Sequence, residues 1–370
     1  MNCVICLTEL VPSNDSEEHI IPASVGGRLK KRGALCRSCN NGAGDKWDSE
    51  LARQLNFFSV TFDVRRDRGP APAEKLQRSS GGELLLHPGK PMTAVRSEFK
   101  SSQVPGGTSY EIRAKSIDEA RVMLKQLARK HPALDVEAVL ATAQVSNELL
   151  DGYIEISPNF GGPLAGRSVV KSALCWAALQ GVPAAACPEA REYLTNTAAE
   201  PCFGFLNAPD PLRNRPIGVP LHCVAVSSVG TAGQLLGYVE FFGWRRAVVQ
   251  LARDYSGPPL HASHFIDPRT SELLELDVDL RFDHATVASI FDYKHCLPDQ
   301  VTASAAPIIE TMLEKLRNQE LSRASAEMTE RAFREGRASE GEMLTKEHLS
   351  TLAESMAVQI AQYQRKLSKK

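Results

Sequence analysis

Two Cys-x-x-Cys pairs, Cys3/Cys6 and Cys36/Cys39, open this 370-residue chain and enclose a Glu18-His19 dipeptide. Asn40-Asn41 follows the second pair directly. A two-residue gap lets both thiolates of a pair reach one ion. Four soft ligands in two pairs suit tetrahedral Zn2+ with no open coordination position. Cys3, Cys6, Cys36 and Cys39 are therefore expected to hold a structural zinc. Closing residue 3 onto residue 39 folds the loop between them back and carries Glu18 and His19 toward Asn40 and Asn41. An imidazole, a carboxylate and two amides gathered in one place can serve phosphodiester hydrolysis. A hard divalent ion, Mg2+ or Mn2+, takes oxygen ligands from a carboxylate and an amide carbonyl. It stabilises charge on the phosphorus and on the leaving oxygen. A neutral His takes a proton from the attacking water, its pKa lying near working pH. Arg28, Lys30, Lys31 and Arg32 form a basic loop that, with Arg37, can hold flanking phosphates without reading bases.

The elements that must position these groups follow from local pattern. Glu18–Pro22 reads as a strand, with two β-branched residues after the His and a Pro to close it. Val25-Gly26-Gly27 is a turn. From Gly44, the apolar residues Trp47, Leu51, Leu55 and Phe58 recur at three- and four-residue steps, which predicts a helix. Strand, strand and helix make a ββα unit over residues 1–58, small enough to need a staple. Asp48 lies about two turns along the helix from Asn41 and is a candidate supporting residue for a metal site, although a first-turn acid also suits the helix dipole.

This stretch resembles the HNH endonuclease family, specifically its zinc-stapled ββα-metal members. The residues that carry the resemblance are Cys3-x-x-Cys6, Glu18-His19-Ile20-Ile21-Pro22, Gly26-Gly27 and Leu35-Cys36-Arg37-Ser38-Cys39-Asn40-Asn41, followed by Gly44 and Asp48. The resemblance spans about residues 1–56. It implies His19 as general base, Glu18 as a ligand of the catalytic divalent ion, and Asn41, with Asn40 as the neighbouring alternative, as the residue completing that ion's site. It also implies DNA as substrate and a setting in restriction or defence against phage. Two departures stand out. The family's middle Asn has no counterpart at Arg32-Gly33-Ala34, and the acid before His19 is Glu rather than the commoner Asp.

The rest of the chain is expected to be α+β. Residues 59–134 look like a β-rich connector, with strands at Ser59–Val64 and Glu83–Leu86, followed by a helix opened by the capping box Ser116-Ile-Asp-Glu119. Residues 135–300 look like an α+β domain with a helix at Ser168–Leu179. Its antiparallel strands are expected at Leu221–Val229, Gln234–Phe242, Arg246–Leu251 and His261–Ile266. Residues 301–370 read as two or three amphipathic helices broken near 336–341, ending in a short basic tail. His261-x-x-His264 lies in an apparent strand, where positions three apart face opposite sides, so it is not expected to hold a metal.

Charge is unevenly spread. Residues 1–130 carry 21 Lys+Arg against 15 Asp+Glu, whereas the remainder carries 22 against 29. A basic head on an acidic body suits a polyanionic partner. The apolar runs near Leu174 and Val248 are too short to span a bilayer. No secretion signal is apparent, which predicts a cytoplasmic protein. In that reducing compartment the scattered Cys175, Cys187, Cys202, Cys223 and Cys296 read as buried small hydrophobes. Two further readings concern partners: the C-terminal helices as a surface for self-association, and the 135–300 region as the place where a regulatory ligand or protein partner acts. The competing function is a zinc-dependent nucleic-acid-binding or assembly module without catalysis.

Overall fold

The computed structural model describes residues 1–144, 153–156, 159–336 and 341–367. Residues 337–340, within the expected helix break, and 368–370 of the basic tail lie outside the described residues. The architecture is α+β with antiparallel sheets. No described helix is long and apolar enough to cross a membrane.

Two compact units are present. The first joins Met1–Glu74, His87–Gly89 and Ser157–Glu314, and the second joins Lys75–Leu86, Lys90–Ile156 and Lys315–Lys370. The expected bounds at 58, 134 and 300 are not the edges of these units, because the N-terminal segment packs on the sheet and core helix of residues 157–314.

That sheet has five antiparallel strands in the order His261–Ile266, His222–Ser227, Leu235–Phe241, Arg245–Ala252 and Phe203–Phe205. The three central strands carry apolar residues on both faces and are buried on both. One face packs Leu206, Leu221, Tyr238, Val248, Phe265 and Ile290 together. The other receives the core helix Gly162–Leu179, whose start lies six residues ahead of the expected Ser168. Helix and sheet approach closely at Gly237, where an added Cβ would lie 2.7 Å from the Ala173 methyl.

In the N-terminal segment, strands Glu18–His19 and Lys30–Lys31 pair antiparallel, Glu18 opposite Lys31 and His19 opposite Lys30. The helix Arg37–Ala43 runs on through a π-helical turn, Gly44–Asp48, into Ser49–Gln54. A further helix, Asn56–Thr61, stands where a strand was expected at Ser59–Val64. The β-preferring Val60-Thr61-Phe62 is overridden by packing. Leu55, Phe58 and Phe62 continue the helical spacing, and Phe58 meets Phe242 and Trp244 at ring separations of 5.4 and 5.5 Å. His222 ties the segment to the sheet. Its Nε2 donates to the Val25 carbonyl at 2.7 Å, and its Nδ1 accepts from the Phe242 N–H at 3.1 Å. Burial pushes this imidazole down to about 4, so it stays neutral.

The Gly-Gly turn is set by backbone crowding. Gly26 has φ +102, and a Cβ on Gly27 would fall 1.8 Å from the Ile21 carbonyl oxygen. Because that neighbour is backbone, the turn itself must shift. Gly27→Ala is expected to destabilise the protein by about 1–3 kcal/mol, read as a lower denaturant midpoint. An unchanged midpoint would show that the turn relaxes freely.

Most of the second unit's strand residues belong to a four-stranded sheet in the order Lys90–Ala94, Glu83–His87, Glu74–Arg78 and Ile154–Glu155. The unit also holds the hairpin Glu98–Val104/Gly107–Arg113 and the helix Ile117–Ala128. Ser116 caps that helix, its hydroxyl accepting from the Glu119 N–H at 3.2 Å. Two long helices, Pro298–Glu335 and Lys346–Leu367, occupy the C-terminal region.

Candidate functional site

The four N-terminal cysteines converge. Their sulfurs all lie within 4.8 Å of one another, and Cys6 and Cys36 are 3.7 Å apart. A tetrahedral ion with bonds of about 2.3 Å to sulfur requires sulfur separations of roughly 3.8 Å, so the cluster fits zinc. Local backbone shapes both knuckles. Cys3 N–H donates to Thr8 and Leu7 N–H returns to Cys3, while Cys36 begins the helix whose Asn40 N–H reaches its carbonyl. Val4 N–H to the Ala34 carbonyl ties the two knuckles together. Burial raises the Cys3 and Cys39 thiols, and in Cys39 the neighbouring Cys3 adds to the effect. Cys6 falls to about 6 because hydrogen bonds, Thr8 foremost, outweigh its burial. A cation among the sulfurs relieves that crowding of negative charge. Among the described residues, no other group of three or more His, Cys, Asp and Glu side chains is placed to hold a metal.

Alternation along the first strand splits Glu18 from His19. Glu18 turns inward and is 3% exposed. Its Oε1 contacts Lys171 Nζ, which also reaches Asp48 Oδ2 at 2.6 Å. Ser168, one turn before Lys171 on the core helix, donates to Asp48 Oδ1 at 2.5 Å. Burial opposes charge on Lys171, but Asp48 and Glu18 more than offset it and hold the amine above its ordinary value. Burial also pushes the Glu18 carboxyl up, with Lys171 pulling against it. The two directions compete for one proton. We favour a retained ammonium, because two acids share the single cation.

His19 turns toward the rim. Its Nε2 lies 3.1 Å from Asp67 Oδ2, outside hydrogen-bond geometry, so it has no hydrogen-bond partner among the described residues. The same carboxylate takes Arg28 at 3.1 Å and Lys30 at 2.7 Å. Burial lowers the His19 pKa below its ordinary value, although Asp67 raises it in part. The imidazole is therefore neutral near pH 7, and Asp67 stands over the nitrogen that would accept a proton.

The amides part in the same way. Asn40 donates its side-chain amide to Ser16 Oγ at 3.2 Å and to the Glu17 carbonyl at 3.1 Å, bracing the loop ahead of Glu18. Asn41 is exposed. Of the basic residues, Arg28 and Lys30 meet Asp67, whereas Lys31, Arg32 and Arg37 are exposed. The loop that lacks the middle Asn is braced by Asp15, whose Oδ1 accepts the Gly33 N–H at 3.1 Å and whose backbone bridges to Cys36.

Sequence reasoning did not single out Asp15, Ser168 or Lys171, and Asp67 lies in the run Arg65-Arg66-Asp67-Arg68, which by sequence reads as a solvated charged loop or as an extension of the phosphate path. Lys171 alone carried a local signal, a single cation within the apolar run Val169-Val170-Lys171-Ser172-Ala173-Leu174. His261 lies 2.8 Å from Asp277, and His264 lies against the Trp176 ring.

Comparison with known proteins agrees with this geometry in one segment. Residues 3–56 match the family model described as HNH endonuclease. No curated protein and no solved structure matches the chain. The matched segment contains all four cysteines, Glu18, His19 and Asp48, while Asp67, Ser168 and Lys171 lie beyond it.

Proposed function

We propose that this chain is a divalent-metal-dependent endonuclease that hydrolyses phosphodiester bonds of DNA, with His19 as general base. One observation carries the reading most: within the segment that matches the HNH model, a neutral His19 shares a rim with Arg28 and Lys30, all three gathered on one carboxylate. A phosphate diester offers the same negative oxygens as Asp67. On arrival it takes Arg28 and Lys30 from Asp67 and uncovers His19 Nε2 for the attacking water. Lys31, Arg32 and Arg37 hold neighbouring phosphates. The four cysteines keep a structural zinc and perform no chemistry.

Glu18 and Asn41, with Asn40 as the neighbouring alternative, are the groups that would hold the catalytic Mg2+ or Mn2+, and Asp48 supports Glu18 through Lys171. When bound, that ion supplies charge stabilisation for the pentacovalent phosphorus and the leaving oxygen. Restriction or phage defence is the setting we assign to such an activity, in the cytoplasm. A cavity of about 580 Å3 lined by Asp210, Arg215, Arg246 and Ser304 is a candidate site for a regulatory ligand. The C-terminal helices are a candidate surface for self-association.

The engagement of Glu18 by an ammonium favours one second reading, a zinc-stapled DNA-binding module without catalysis. Incubating zinc-loaded full-length protein with supercoiled plasmid separates the two. Nicking that requires Mg2+ or Mn2+ and stops with EDTA is expected. Retention of DNA without nicking at any divalent-ion concentration would establish the module instead.

A further inference from the structure

The core helix inserts a charge into the N-terminal site that the matched segment cannot supply. Lys171 is fully buried, and its Nζ touches Glu18 Oε1 and Asp48 Oδ2. Ser168 on the same helix fixes the other Asp48 oxygen. Glu18 and Asp48 are thus one acid pair, gathered around one ammonium. Val170, Ser172 and Cys175, beside Lys171 on its helix, are uncharged and buried, and the one charged side chain a turn away, Arg167, donates instead to the Pro163 and Asn196 carbonyls. A lysine in such surroundings is costly unless its partners compensate. Here the partners include the carboxylate immediately before His19.

We infer that Lys171 is a positioning residue of the nuclease site, the internal counter-cation of the Glu18–Asp48 pair, and that it sets how tightly the site holds its divalent ion. This rests on the nuclease reading above. The ammonium and a divalent ion draw on the same Glu18 carboxylate. With Lys171 in place, binding an ion through Glu18 means sharing that carboxylate with a cation already seated there. The 157–314 segment thereby limits the ion affinity of a site whose acids and amides come from the first 48 residues. Lys171 need not touch the ion or the DNA to do this.

The test uses full-length, zinc-loaded protein and Mn2+ binding without DNA, followed by calorimetry and by the rise in melting temperature on adding Mn2+. Removing a unit charge next to a cation site strengthens cation binding by about tenfold or more. Lys171→Met is therefore expected to half-saturate with Mn2+ at a concentration at least about tenfold lower than wild type. Adding Glu18→Gln to that variant is expected to cancel the gain. Wild-type Mn2+ affinity in Lys171→Met, or a gain that survives Glu18→Gln, overturns the inference, since a merely structural lysine would alter stability and leave ion affinity alone. Should Lys171→Met fail to fold, Lys171→Gln, which removes the charge but keeps an N–H donor for the two carboxylates, decides the matter: the same gain of about tenfold or more in Mn2+ affinity is expected, and wild-type affinity counts against the inference. Plasmid nicking by wild type is scored separately, so loss of the nuclease reading and loss of the Lys171 role give different results.

Discussion

His19→Ala is expected to lower the rate of plasmid nicking by about 10^2–10^4-fold, the usual contribution of a positioned general base. The fold has little reason to change. His19 faces the rim, is no part of the four-cysteine cluster, and lies beside Asp67. Zinc content and the denaturation midpoint should therefore stay close to wild type while nicking is lost. The pH profile carries a second mark. Burial holds the His19 pKa below 6.5, so the base form persists to lower pH than an ordinary histidine allows. The acid limb of the rate should lie below pH 6.5 and vanish with the imidazole. A His19→Ala protein that nicks as fast as wild type would remove His19 from the chemistry and, with it, the mechanism proposed above.

Loss of a zinc ligand should act through folding. Cys36 is the buried ligand at the start of the helix Arg37–Ala43, and it sits in the knuckle that also carries Asn40 and Asn41. Structural zinc sites contribute apparent binding energies of about 10–16 kcal/mol, comparable to the typical stability of a whole domain, about 5–15 kcal/mol. Cys36→Ser is expected to leave less than one zinc per chain and to abolish nicking by freeing the loop that carries Glu18 and His19. The 203–266 sheet has its own core, so circular dichroism should retain much of the signal while the melting transition broadens or splits. Full zinc content together with a wild-type melting transition in Cys36→Ser would show that the four sulfurs do not act as a single site.

These two substitutions fall on residues that stood out in the sequence, because their signals are local. Paired cysteines two residues apart announce a metal through ligand type and loop geometry. The Glu18-His19 dipeptide, the Gly26-Gly27 turn and the basic loop lie within one short stretch. Short runs of β-preferring residues likewise marked four of the five sheet strands. The fifth, Phe203–Phe205, is three residues long and offers no period to detect. Residues 59–61 were misjudged because β-branched residues favour strands locally, while the deciding term was burial of Phe58 and Phe62 against Phe242 and Trp244.

By itself, then, the sequence determined the four-cysteine cluster, the ββα order around it and the candidacy of His19, all of which depend on residue types at short spacing. Only the tertiary structure decided what surrounds them. Glu18 and Lys171 are 153 residues apart in sequence, and Arg28 and Asp67 are 39 apart. Ion pairs over such separations leave no periodic trace, because either charge would look the same with another partner or with water. Packing the core helix against the N-terminal segment removed water from Glu18, Asp48 and Lys171. Once desolvated, those charges had to find one another.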